Sequence, residues 1–199
     1  MSYQKIYEDL TLAAHRAYTR GLQTGSGGNM AARIPETGSM IVKNSGGSMG
    51  DCTNEGKGWI AMEFGGELLP GESGKPTREW LLHATLLNAL PQYGAVVHFH
   101  SPWTIAWAHD HNELPLVTWH SELKMECPIP VVDVPAAVVP QEAMGEILAL
   151  FEKNPKLCAF ILKGHGMVVV GKNAVAAEHM AELVEETAQI CVLQNLLAK

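Results

Sequence analysis

Between residues 6 and 22, Leu10, Leu12, Ala13, Ala17 and Leu22 recur near helical spacing and run into a glycine-rich stretch, which predicts an opening amphipathic helix. Gly25-Ser26-Gly27-Gly28-Asn29 then reads as a tight loop feeding a strand over residues 30–34, with residues 39–42 as its hairpin partner. After a second glycine loop, Ser45-Gly46-Gly47-Ser48-Met49-Gly50, the run at 58–64 predicts another strand, turning at Gly65-Gly66. Thr77 is placed to cap a helix through Trp80, Leu82 and Leu86 that has stopped by Pro91, and residues 95–100 follow as a strand. Helical patterns at 141–152 and along the C-terminal stretch, where Val175, Met180, Leu183, Val184 and Ala188 share one side, alternate with β-like runs at 129–134, 159–162 and 167–170. The pattern as a whole predicts one mixed α/β domain, residues 1–199, built on a central, mainly antiparallel sheet.

Composition narrows the function. In 199 residues, 47% are hydrophobic and 18% charged, enough apolar material for a core and too much for a disordered chain. A net charge of −7 offers no basic field, which argues against nucleic acid or an anionic membrane as partner and favours small-molecule chemistry. The apolar runs at 158–162 and 167–170 fall far short of the roughly 20 residues that span a bilayer. The polar first residues lack the apolar segment of an export signal, so a cytoplasmic location is expected. Cys52, Cys127, Cys158 and Cys191 form no C-x-x-C pair and read for the most part as buried thiols of a reducing compartment.

Three histidines carry the candidate chemistry. Alternation along a strand puts His98 and His100 on one face, about 7 Å apart at Cα, a spacing that suits two imidazoles sharing a metal ion. A pair of hydrogen-bonded core histidines is the plain alternative. His165, between Gly164 and Gly166, offers a third imidazole where the glycines permit close approach. Glu79 shares a helix face with His83 and is either a carboxylate answering the helix dipole or, beside three histidines, a metal ligand and candidate base. The two glycine loops can form anion nests, with Ser26, Asn29, Lys43, Ser45 and Ser48 as added donors, or can be plain hairpin turns. His109-Asp110-His111 reads as an exposed turn, and Trp103 with Trp107 as core or subunit interface.

The succession G-S-G-G-N at 25–29, S-G-G-S-M-G at 45–50, K-P-T-R-E-W-L-L-H at 75–83, V-V-H-F-H-S at 96–101 and G-H-G at 164–166 resembles the class II aldolase/adducin family over almost the whole chain. The resemblance implies a three-layer αβα fold, usually assembled as a homotetramer with sites at subunit borders. It implies one divalent ion per chain on His98, His100 and His165, with zinc expected and manganese or cobalt compatible. Glu79 matches the family's carboxylate, which binds the metal at rest and acts as acid/base on substrate. Ser26, Gly28, Asn29, Lys43, Ser45, Gly46, Thr77 and Arg78 fall where a substrate phosphate is cradled. Two positions depart from the pattern: Trp119 stands near the place of a tyrosine that aldolases supply from the neighbouring subunit, and Lys43 where relatives often have threonine.

The function expected on this basis is a metal-dependent lyase, an aldolase that makes or breaks a C–C bond of a phosphorylated ketose through a metal-stabilised enediolate. The alternatives are decarboxylation of a phosphorylated keto sugar acid of the 3-oxo-tetronate 4-phosphate type, sugar-phosphate epimerisation or dehydration, and, outside catalysis, an adducin-like interaction module.

Overall fold

The computed structural model describes residues 3–198. In chain order the elements are α1 (Tyr3–Thr19), β1 (Asn29–Ile34), β2 (Ser39–Lys43), β3 (Trp59–Glu63), α2 (Trp80–Ala89), β4 (Ala95–Phe99), α3 (Pro102–Ala108), β5 (Glu113–Leu114), α4 (Trp119–Met125), β6 (Ile129–Val132), α5 (Met144–Lys153), β7 (Ala159–Leu162), β8 (Gly166–Gly171) and α6 (Ala174–Leu197). The strands form one sheet in the order β3-β2-β1-β4-β8-β7-β6-β5. Every neighbouring pair is antiparallel except β6 and β7, which are parallel and separated in sequence by α5.

Both faces of this sheet are covered. On one, Ile6 and Leu10 of α1, Trp107 of α3 and Ala177 and Val184 of α6 meet Met30, Val97, Ile161 and Val169. On the other, Leu82 and Leu86 of α2 and Ile147 and Phe151 of α5 meet Ala31, Val96, Phe160 and Val168. Adjacent strand residues therefore feed opposite cores, which is why the central strands read as unbroken apolar runs. The three-layer αβα arrangement matches the expectation. In α1 the buried stripe is Ile6, Leu10, Ala13, Ala14 and Ala17, whereas Leu12 is 52% exposed and lies off it. No helix among the described residues is long and apolar enough to cross a membrane.

Two local readings need correction. Thr77 does not cap α2: its N–H still donates to the Lys43 carbonyl at 2.9 Å, so the chain stays extended there and the flanking residue of the helix is Glu79. The Thr77 hydroxyl instead accepts from the Glu79 N–H at 3.4 Å. The strand predicted at 95–100 ends at Phe99, leaving His100 just beyond the ladder.

Candidate active site

His98 occupies the centre of the sheet, opposite Asn29 on β1 and Val168 on β8, and is fully buried. His100 follows two residues on, past the strand end. His165 lies in the turn between β7 and β8, where its N–H donates to the Leu162 carbonyl at 3.0 Å. Gly166 lets this turn come close, because a Cβ there would overlap the Phe99 carbonyl. The result is convergence: the His98 Nε2 lies 3.2 Å from the His100 Nε2 and 3.3 Å from the His165 Nε2.

The arrangement fits a divalent transition ion. The His98 Nδ1–H donates to the Met167 carbonyl at 3.0 Å, which fixes the tautomer and leaves Nε2 a bare lone pair aimed at its neighbours. Burial lowers the pKa of all three imidazoles, with His165 and His100 further lowering that of His98, which favours neutral rings with lone pairs free to donate. Among the described residues, no other group of His, Cys, Asp or Glu brings three donor atoms within 4.8 Å of one another. Three neutral nitrogens meeting at one point are the donor set of a catalytic zinc-type site that keeps a coordination position open.

Beside the cluster lies a cavity of about 300 Å³, on whose wall His100 and His165 meet Glu79. The Glu79 carboxylate is buried and accepts from the Val139 N–H, at 3.3 Å and 3.4 Å to its two oxygens. Burial pushes this carboxyl up to about 7, against the pull of the Val139 amide. The mutually close donors are the three imidazoles; Glu79 faces the same space from the start of α2.

The far wall of the cavity gathers the other predicted positions. Ser26, Gly28 and Asn29 come from the first glycine loop, Ser45 and Gly46 from the second, and Thr77 and Arg78 from the entry to α2. Gly28 and Gly46 turn these loops with φ of 58° and 80°. Lys43, at the end of β2, lines the same cavity and is only 2% exposed. Its Nζ donates to the carbonyls of Asn44 at 3.2 Å and Ser26 at 3.5 Å, and burial lowers its pKa. That burial excludes a solvated lysine at this position.

Sequence reasoning did not assign two participants. His83, fully buried on α2, donates from Nε2 to the Asn29 Oδ1 and so holds the asparagine at the cavity wall. Its Nδ1 has no hydrogen-bond partner, and burial lowers its pKa to about 3. The i, i+4 spacing from Glu79 was visible, but the two side chains turn to different partners. Val139, whose N–H holds Glu79, sits in a loop 60 residues away in sequence and carries no signal of its own.

The fold and site together define an αβα domain with a three-histidine centre facing a cavity lined by cations and backbone loops. The chain belongs to the Class II Aldolase and Adducin N-terminal domain family, which it matches over residues 8–192. It is 30% identical to the 3-oxo-tetronate 4-phosphate decarboxylase of Escherichia coli (strain K12), over 94% of this chain and 86% of that protein. It is also 30% identical to an L-fuculose phosphate aldolase of Methanococcus maripaludis, over 90% of this chain and 92% of that one. The crystal structure of the L-fuculose-1-phosphate aldolase of Thermus thermophilus superposes with a TM-score of 0.81 at 21% identity, covering 97% of this chain and 95% of that one, and shares the fold. The family resemblance carried by the sequence motifs is thereby borne out.

Proposed function

We propose that this protein is a metal-dependent lyase that decarboxylates a phosphorylated 3-oxo sugar acid, with aldol cleavage of a phosphorylated ketose as the second reading. The observation that carries the first is the pair of cations on one cavity: buried Lys43 and exposed Arg78 can meet a substrate charged at two places, a phosphate and a carboxylate. The decarboxylase relative has a substrate of that kind in its name. The sequence motifs alone place aldol cleavage first; the buried Lys43 beside Arg78 is what supports putting decarboxylation ahead of it here.

A divalent ion on His98, His100 and His165 supplies Lewis-acid polarisation of substrate oxygens. The rest falls to the chain. Ser26, Asn29, Ser45, Gly46 and Thr77 present donors for a phosphate, and binding energy gained there orients the reacting carbons. In a 3-oxo acid the bond between the carboxylate carbon and C2 breaks, carbon dioxide leaves, and the electron pair is drawn toward the C3 carbonyl. Glu79 then supplies one proton to C2, leaving dihydroxyacetone phosphate when the substrate is 3-oxo-tetronate 4-phosphate. In the substrate-free state Glu79 would join His98, His100 and His165 in holding the ion, and once displaced by substrate it would take up from solvent the proton it delivers. Aldol cleavage would yield the same three-carbon phosphate with an aldehyde in place of carbon dioxide. A second cavity of about 500 Å³, which shares His100 and His165 and is also lined by Val134 and Lys163, offers room for that fragment. The assembly proposed is a homotetramer with sites at subunit borders, which would cover Trp119, now 85% exposed.

Carboxyl-labelled 3-oxo-tetronate 4-phosphate, incubated with zinc- or manganese-loaded protein, is expected to give labelled carbon dioxide and dihydroxyacetone phosphate. Lys43→Met should raise KM by about tenfold or more, the scale of one lost charge-assisted contact, with a smaller effect on kcat. Aldehyde release from fuculose 1-phosphate, with no carbon dioxide from the keto acid, would establish the aldolase instead.

A further inference from the structure

Gln23 lies between the first glycine loop and the histidine centre and belongs to neither motif. It is 3% exposed, unusual for a glutamine outside any helix or strand. Its Oε1 accepts the His100 N–H at 2.9 Å, and its Nε2 donates to the Thr24 carbonyl at 2.9 Å. The same amide fills the space beneath the loop: a Cβ on Gly27 would overlap the Gln23 Nε2 and one on Gly28 the Oε1. A Cβ on Gly27 would also come within 3.1 Å of the His100 Nδ1. The neighbouring Ser101 hydroxyl donates to the Leu22 carbonyl at 3.0 Å, so two successive residues of each segment are stitched together.

His100 needs such a stitch. It stands beyond the end of β4 and has no ladder to fix its backbone, unlike His98, which pairs on both sides. Gly27 and Gly28, lacking side chains, rest against the Gln23 amide in return. Any anion that orders the loop therefore bears on the residue that sets the position of a metal ligand.

We propose that Gln23 is a positioning residue that couples the two halves of the site, so that an anion on the glycine loop and a metal ion on the histidines each favour the binding of the other. This deepens the function proposed above and rests on its assignment of phosphate to the loop and a divalent ion to the imidazoles. By linkage the coupling is reciprocal, and a typical coupling amounts to about fivefold or more in affinity.

Cobalt(II) titration of the metal-free protein, followed through its visible d–d absorption with and without saturating inorganic phosphate, reads the coupling directly. The wild type should bind cobalt about fivefold or more tightly when phosphate is present, with a change in the band shape. In Gln23→Met the phosphate effect should vanish and cobalt affinity fall by about tenfold, as for loss of a group that orients a ligand. Gly27→Ala, which displaces the amide without removing it, should lose part of the coupling and gives a second variant if the first fails to fold. Undiminished coupling in both variants, or cobalt and phosphate binding independently in the wild type, would overturn the role of Gln23 while leaving the functional reading intact. No cobalt binding by the wild type would overturn both.

Discussion

Burying a neutral histidine ties stability to pH, and His83 is the clearest case in this molecule. Its pKa is lowered to about 3, against about 6.5 for the unfolded side chain. Between these values the unfolded chain binds a proton that the folded one refuses, so the contribution of His83 is complete above about pH 6.5 and is lost as pH falls toward 3. Urea midpoints should therefore carry a His83-dependent drop between about pH 7 and about pH 4.5, opposed by Glu79, whose raised pKa favours the folded state as pH falls. The drop should shrink in His83→Gln, which keeps a donor for Asn29 but does not titrate. An unchanged pH slope in the variant would show that His83 does not set it. At this scale the sequence was informative where a residue's chemistry is its own, as for the three histidines. It was silent where a role comes from the fold, as for the amide of Val139 that reaches Glu79 across 60 positions.

The elements show how the centre is held. α3 begins two residues after His100, and its first N–H groups are answered from α6: Glu185 accepts from the Trp103 and Thr104 N–H groups, both at 2.9 Å, and from the Thr104 hydroxyl. Glu185→Ala should cost about 2 kcal/mol in chemical unfolding, since a cap and a buried charge-assisted bond go together. A loss below about 0.5 kcal/mol would show that solvent replaces the cap. Long periodic elements such as α1, α5 and α6 were legible in the pattern. α4 and β5 were not, because α4 is only 7 residues long and leaves Leu123 73% exposed, so no amphipathic stripe marks it. The signal that was present is the cap: Thr118 and Ser121 exchange hydrogen bonds as a capping box, with serine in the place where glutamate or glutamine is usual.

For the whole molecule, Trp119 at 85% and Leu123 at 73% exposure, one turn apart on α4, place two large apolar side chains together in solvent, as Leu196 and Leu197 do at the end of α6. The proposed homotetramer would bury the α4 pair. Sedimentation of the wild type should give a mass four times that of the chain, and Trp119→Ser combined with Leu123→Ser should release smaller species. A wild-type monomer would contradict the assembly. The three layers and the family were readable from the order of motifs, because glycine loops, a carboxylate helix and two histidine motifs in one succession are rarely met by chance. The depth of Lys43 was not, because burial of a charge is decided by segments brought to it by the fold, here the loop whose Ser26 carbonyl its Nζ reaches.

Everything proposed for the chemistry depends on His98, His100 and His165 forming one metal centre. Equilibrium dialysis of the metal-free protein against zinc measures this most directly. The account predicts one tight site per chain, and a loss of about a hundredfold or more in affinity in His165→Ala, since removing an imidazole leaves two of the three histidine donors. Zinc bound equally well by wild type and His165→Ala, or not bound by either, would contradict it.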